Sequence, residues 1–136
     1  PGCSPAQPQK RWPAERYAAL GHRLRAQGLA VAVTGTVADR AATAAILSAF
    51  PDAVDLTGHT DLFQLAAVAR RAAGVVGNDT GPVFLAAALA TPTLMLMSRH
   101  TDPARSAPRG PRAAWLRRDD LAALTVNEAL AAVLLR

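Results

Sequence analysis

One short segment of this 136-residue chain is dense in groups that hold ligands: Gly77-Asn78-Asp79-Thr80-Gly81-Pro82. Gly81 permits close backbone approach, and the Thr80 hydroxyl together with free amides at a helix start can bond phosphate oxygens. Asp79 cannot favour phosphate directly, but its carboxylate accepts hydrogen bonds from sugar hydroxyls, so the segment as a unit suits a sugar phosphate or a nucleotide sugar. Turn and helix-cap chemistry alone also accounts for the same residues. The chain has no Gly-x-Gly-x-x-Gly and no Gly-Lys-Ser/Thr, which disfavours a dinucleotide dehydrogenase and a nucleoside triphosphatase. His22 and His100 have no metal-site spacing, and the single Cys3 excludes a disulfide framework or a cysteine-rich metal site.

The elements around this segment follow from periodicity. Tyr17, Leu20 and Leu24 recur at helical spacing, with Pro13 suited to a first helical position and Gly28 to a stop, so a helix is predicted over 13–27. A short apolar run at 29–34 ends in Gly35 and predicts a strand, and Ala41, Ala45, Ile46 and Ala49 predict a helix over 37–50. The unit repeats as a strand at 53–56, a turn at 57–60 and a helix over 61–72 whose apolar face is Leu62, Leu65, Ala66 and Ala69. A strand at 74–77 and a helix over 83–90, opened by Pro82, come next. Residues 93–97 are apolar on both faces and read as a central strand. Beyond 98 the pattern lapses into a loop rich in Pro and Arg, before Thr125 and Glu128 make a capping box for a helix over 126–135.

This alternation predicts right-handed βαβ units and an α/β class, a Rossmann-like doubly wound parallel sheet in one domain spanning 1–136. Pro1-Gly2-Cys3-Ser4 reads as a strand-to-helix loop whose preceding strand is absent, so the domain is expected to lack its first strand. Ligands of such sheets sit beyond the carboxyl ends of the strands. Four loops qualify, at 1–12, 34–39, 57–61 and 78–82.

Composition sets the bounds. With 51% hydrophobic residues the chain can bury one core, and its longest apolar run, 83–97, is broken by Pro92 short of the roughly 18 to 20 residues a spanning helix needs. The start at Pro1 and the lone cysteine suggest a reduced, cytoplasmic fragment of something longer. The whole net charge of +5 lies between residues 99 and 118, where Arg99, Arg105, Arg109, Arg112, Arg117 and Arg118 face Asp102 alone. That confinement, with 4% aromatics, argues against a nucleic-acid partner. The segment reads either as a solvated loop or as a patch that meets an anionic surface.

Lys10-Arg11-Trp12-Pro13, Leu56-Thr57-Gly58-x-Thr60-x-Leu62, Gly77-Asn78-Asp79-Thr80-Gly81-Pro82 followed by Leu85-Ala86-Ala87-Ala88, and Thr101-Asp102-Pro103 occur in an order that resembles the ADP-heptose:lipopolysaccharide heptosyltransferases, glycosyltransferase family 9. The resemblance runs over nearly the whole chain and implies the C-terminal, donor-binding domain of a two-domain GT-B enzyme of lipopolysaccharide biosynthesis. The catalytic base then belongs to the N-terminal domain, a partner of this one, and no catalytic residue is expected here.

Carried over by position, the resemblance puts the donor diphosphate on Lys10, Thr80, Gly81 and Ser4, and the donor sugar on Asp79. Lys10 is the only lysine among 15 basic residues. Gly58, His59 and Thr60 border the nucleobase in this reading, and Asp39 lies near the ribose. A helix-entry turn explains residues 58–60 equally well. The resemblance implies ADP-heptose as the donor, no metal or other cofactor, and lipopolysaccharide core at the cytoplasmic face of the inner membrane as the acceptor. One departure stands out: the family carries His two residues after the Pro of the central block, and this chain has Phe84, which neither donates a hydrogen bond nor neutralises charge. Two readings therefore remain, the donor half of an inverting glycosyltransferase and a non-catalytic nucleotide-binding or interaction module. Trp12, Met95 and Met97 are expected in the core.

Overall fold

A computed structural model describes residues 7–133 and 135. The expected phosphate contact at Ser4 and the loop 1–4 lie outside the described residues. After a 3-10 turn at Pro8–Lys10 the elements run α1 (Ala14–Ala26), β1 (Ala32–Val33), α2 (Arg40–Ala49), β2 (Val54–Asp55), α3 (Leu62–Arg71), β3 (Val75–Asn78), α4 (Gly81–Ala88), β4 (Thr93–Met97), α5 (Pro103–Ser106), β5 (Ala113–Arg117) and α6 (Val126–Ala132). All strand pairs are parallel, β1 with β2 in one sheet and β3, β4, β5 in that order in another. The α/β alternation expected from periodicity is therefore present.

β4 is the centre of the larger sheet, and each of its five residues is buried. Its alternation splits two cores. Leu94 and Leu96 join Trp12, Leu20, Leu121, Leu124 and Ala129 on one side, while Met95 and Met97 pack with Val83 on the other. A fully buried apolar side chain of this size contributes about 1.5–3 kcal/mol. Trp12 is core as expected, its ring edge-on to Tyr17 with centroids 4.9 Å apart and its indole N–H donating to the Leu124 carbonyl at 2.9 Å. Ala18, Val33, Ile46 and Phe50 form a separate core between β1, α1 and α2.

Between β1 and β3 lies an apolar groove of about 490 Å³, lined by residues of both strands and walled by Leu20 and Leu24 of α1, Phe50 after α2, and Leu65 and Val68 of α3. It separates the two sheets, and both of its walls are apolar.

Three expectations need correction. The stretch after 98 is not all loop: β5 pairs with β4 from Thr93↔Ala113 to Met97↔Arg117. An edge strand is half solvated and short, so its pattern is hidden among flanking arginines and prolines. Leu62 does not face the core. It is 66% exposed and Phe63 85%, because the first turn of α3 is held out by a capping box between Asp61 and Gln64 and the helix reaches the groove through Leu65, Val68, Ala69 and Arg71. Finally, Pro13 is the N-cap of α1 rather than its first helical residue.

Candidate functional site

The central loop turns from the end of β3 into α4, and Asn78 anchors it. Asn78 is fully buried, and its side-chain oxygen accepts from the Trp12 backbone N–H at 3.0 Å and from the Tyr17 hydroxyl at 2.8 Å. These bonds draw the Lys10-Arg11-Trp12-Pro13 segment against the carboxyl end of β3. Lys10 Nζ consequently lies 3.4 Å from Asp79 Oδ2, with side chains 19% and 11% exposed. The same Oδ2 accepts from the Thr101 hydroxyl at 2.7 Å. Lys10 offsets the carboxylate charge that would otherwise repel a phosphate beside it, and its stem leaves the ammonium at the edge of the loop.

Thr80 is the N-cap of α4 but makes no side-chain cap bond; its hydroxyl lies 3.4 Å from the Asn78 carbonyl. Fewer amides point outward than a helix start suggests. Pro82 has none, and those of Val83 and Phe84 donate to the Thr80 carbonyl at 3.1 and 3.4 Å. Among the described residues the Gly81 N–H has no acceptor. A β-carbon added at Gly81 meets nothing within 4 Å, so the fold leaves open space there. Thr80 Oγ1, Gly81 N–H and Lys10 Nζ are thus three donors around one loop, with Asp79 the acceptor among them. Phe84, in the first turn of α4, is 37% exposed.

A second group gathers at the carboxyl ends of β1 and β2. The Gly58 N–H donates to the Gly35 carbonyl at 2.8 Å, and Gly58 has φ +73°, a turn conformation that favours glycine. A β-carbon there would stand 3.1 Å from Val37 Cγ2 and 3.3 Å from an Arg40 guanidinium nitrogen. The two loops expected near the nucleobase and ribose therefore touch. Asp39 is engaged locally, its Oδ2 accepting from the Thr36 N–H at 2.8 Å and the Thr36 hydroxyl at 3.0 Å. His59 is exposed and Thr60 half-buried. Asp55, unnoticed in the sequence, accepts from the Thr57 N–H at 2.9 Å; hydrogen bonding to Thr57, aided by the charges of His59 and Arg40, holds its carboxyl below the ordinary value. Sequence reasoning also passed over Tyr17 and Thr101, and took Arg117 only as part of the basic segment. For Thr101 a signal existed in the Thr101-Asp102-Pro103 block, but Tyr17 reads only as a helix-face residue.

Among the described residues, no three of His, Cys, Asp and Glu cluster to hold a metal ion, and no helix is long and apolar enough to cross a membrane.

Known proteins share this fold. The chain is 34% identical over 115 residues to lipooligosaccharide heptosyltransferase 2 of Haemophilus influenzae, covering 81% of this chain and 33% of that protein. It is 34% identical over 94 residues to lipopolysaccharide heptosyltransferase 2 of Escherichia coli, covering 65% of this chain and 27% of that one. The structure of E. coli ADP-heptose lps heptosyltransferase II superposes with a TM-score of 0.89 at 28% identity, over 97% of this chain and 43% of that one. That of E. coli heptosyltransferase WaaC with ADP gives 0.80 at 26% identity, over 90% of this chain and 38% of that one. The chain thus spans about a third of the length of the curated relatives it matches. Residues 1–129 match the family model described as glycosyltransferase family 9 (heptosyltransferase), and the chain belongs to that family.

Proposed function

We propose that this chain is the donor-binding half of an inverting, metal-independent glycosyltransferase that moves heptose from ADP-heptose to lipopolysaccharide core. The carrying observation is the meeting of Lys10, Asp79, Thr80 and Gly81 at one strand end, three donors for a diphosphate and one carboxylate for a sugar hydroxyl. The relatives' names support the substrate: one solved neighbour is an ADP-heptose lps heptosyltransferase and another was solved with ADP. The nucleoside end extends toward the Gly58, His59, Thr60 and Asp39 loops.

In this mechanism a base on an N-terminal domain deprotonates an acceptor sugar hydroxyl, which attacks the anomeric carbon. The bond from that carbon to the diphosphate breaks, and the electron pair leaves on the nucleoside diphosphate. Lys10, the Thr80 hydroxyl and the Gly81 amide face the developing charge, where preorganised donors are worth most. This chain alone is inactive in that scheme. The protein acts in the cytoplasm against an anionic membrane leaflet.

Calorimetry of the chain with ADP-heptose and with ADP tests the proposal. The nucleotide sugar is expected to bind more tightly than ADP, with the same affinity in chelator. Absence of binding, or binding that disappears in chelator, overturns it. Phe84 favours a second reading, a nucleotide-binding module without catalysis; that reading is supported if binding persists but the chain joined to an acceptor-side domain transfers nothing.

A further inference from the structure

We infer that Thr101, itself held by Arg117 from the end of β5, is a positioning residue that sets which oxygen of Asp79 meets the donor. This rests on the reading above that Asp79 contacts the donor sugar. A carboxylate on a turn has two equivalent oxygens and a soft terminal torsion. Here they are made unequal. Oδ2 takes the Thr101 hydroxyl at 2.7 Å and Lys10 at 3.4 Å, while among the described residues nothing donates to Oδ1.

Thr101 is 3% exposed, so water competes little for its single hydroxyl proton. Its backbone is pinned at both ends. The Thr101 N–H donates to the Ser98 carbonyl at 3.1 Å, and the Thr101 carbonyl accepts from Arg117 Nε at 3.1 Å. The same guanidinium donates to the Arg99 carbonyl at 3.1 Å, and Arg117 is fixed opposite Met97 by the β4–β5 register. A line of contacts therefore runs from the edge strand through the 98–101 loop to the Asp79 side chain. Arg117 spends its donors on that loop, which separates it in role from the other arginines of the basic segment.

The test compares ADP-heptose with ADP on the intact chain by calorimetry. Removal of a hydroxyl donor from a charged acceptor is worth about tenfold in affinity. Thr101→Val is accordingly expected to lower the preference for ADP-heptose over ADP by about tenfold while ADP binding changes by less than about twofold; Thr101→Ser, which keeps the hydroxyl, restores the preference. Arg117→Gln is expected to move it the same way by about threefold, since the loop loses its clamp but the hydroxyl remains. A merely structural role for Thr101 would weaken both ligands together and would not be rescued by serine in the preference alone. Asp79→Asn separates the two levels: if it lowers the preference and Thr101→Val does not, the positioning role is overturned and the sugar contact stands. If Asp79→Asn leaves the preference unchanged, the sugar contact fails and the positioning role with it. Should Thr101→Val not fold, Arg117→Gln is read by the same ratio, and an unchanged ratio there overturns the inference.

Discussion

At the scale of single residues, the site separates positions the fold needs from positions only a ligand needs. The fold does not need glycine at Gly81, where a β-carbon meets nothing within 4 Å, and the proposed function gives that space to a phosphate. Gly81→Ala in the first turn of α4 is expected to leave thermal stability unchanged or raised by up to about 1 kcal/mol, since alanine is the better helix former. The same methyl occupies the space a phosphate oxygen would use, so ADP-heptose affinity is expected to fall by about tenfold, or 1.4 kcal/mol. Equal affinity for both variants by calorimetry would place the diphosphate elsewhere. Phe84 poses the opposite case. With Phe84→His in a polypeptide joining this chain to an acceptor-side domain, the transfer rate is expected to rise at least about tenfold, more than donor affinity does, because a hydrogen-bond donor or cation helps most where leaving-group charge develops. A gain in affinity with no gain in rate counts against that role.

At the scale of elements, two local devices set how the last third of the chain is held. The capping box of α6 is in place, with Glu128 Oε2 accepting from the Thr125 N–H at 2.7 Å and the Glu128 N–H donating to the Thr125 hydroxyl at 3.2 Å. Arg118 pairs with the other carboxylate oxygen. The Thr125 amide first, then Arg118 and the Thr125 hydroxyl, bring the Glu128 carboxyl from 4.5 down to about 2. Because the unfolded chain binds this proton more readily, the contribution is complete above about 4.5 and lost as pH falls toward about 2. Parent and Glu128→Gln melting curves are expected to converge over that window and to differ by a constant amount above it; parallel curves throughout would deny the linkage.

Gly110, in the loop that leads into β5, is the second device. A β-carbon there would lie within 2.4 Å of the Ala87 carbonyl oxygen near the end of α4, and a backbone atom cannot swing aside. Gly110→Ala is expected to destabilise by about 1–3 kcal/mol, read by denaturant unfolding. A smaller loss would mean the loop can move off the helix.

At the scale of the molecule, the charge is as uneven as the sequence indicates, but its use is divided. Arg117 and Arg118 are spent inside the fold on the 98–101 loop and on Glu128. Arg99, Arg105, Arg109 and Arg112 are exposed and make no ion pair among the described residues. They are the arginines that the proposed anionic surface would meet, at roughly 1 kcal/mol per basic residue near an anionic membrane. Co-sedimentation is expected with anionic vesicles and not with neutral ones, and is expected to disappear at high salt and in the variant carrying Arg105→Gln, Arg109→Gln and Arg112→Gln. Equal sedimentation of variant and parent assigns the charge to solvent.

The sequence by itself determined what depends on near neighbours along the chain. Helices α1 to α4, the central strand β4 and the capping box of Thr125 and Glu128 were legible because helical periodicity, a two-faced apolar run and a three-residue spacing are local signals. The loop after β3 was legible for the same reason, as Gly77 to Pro82 concentrates turn chemistry within six residues. Only the tertiary structure decided what that loop meets. Lys10 reaches Asp79 across 69 positions, the Trp12 amide reaches Asn78 across 66, and Thr101 reaches Asp79 across 22. It likewise decided that an arginine-flanked stretch is the edge strand β5 and that Leu62 faces water. Parallel strands bring loops together at their carboxyl ends whatever their separation in the chain. A single side chain's type records that it can donate or accept, while its partner is set by packing between elements, which no local pattern encodes.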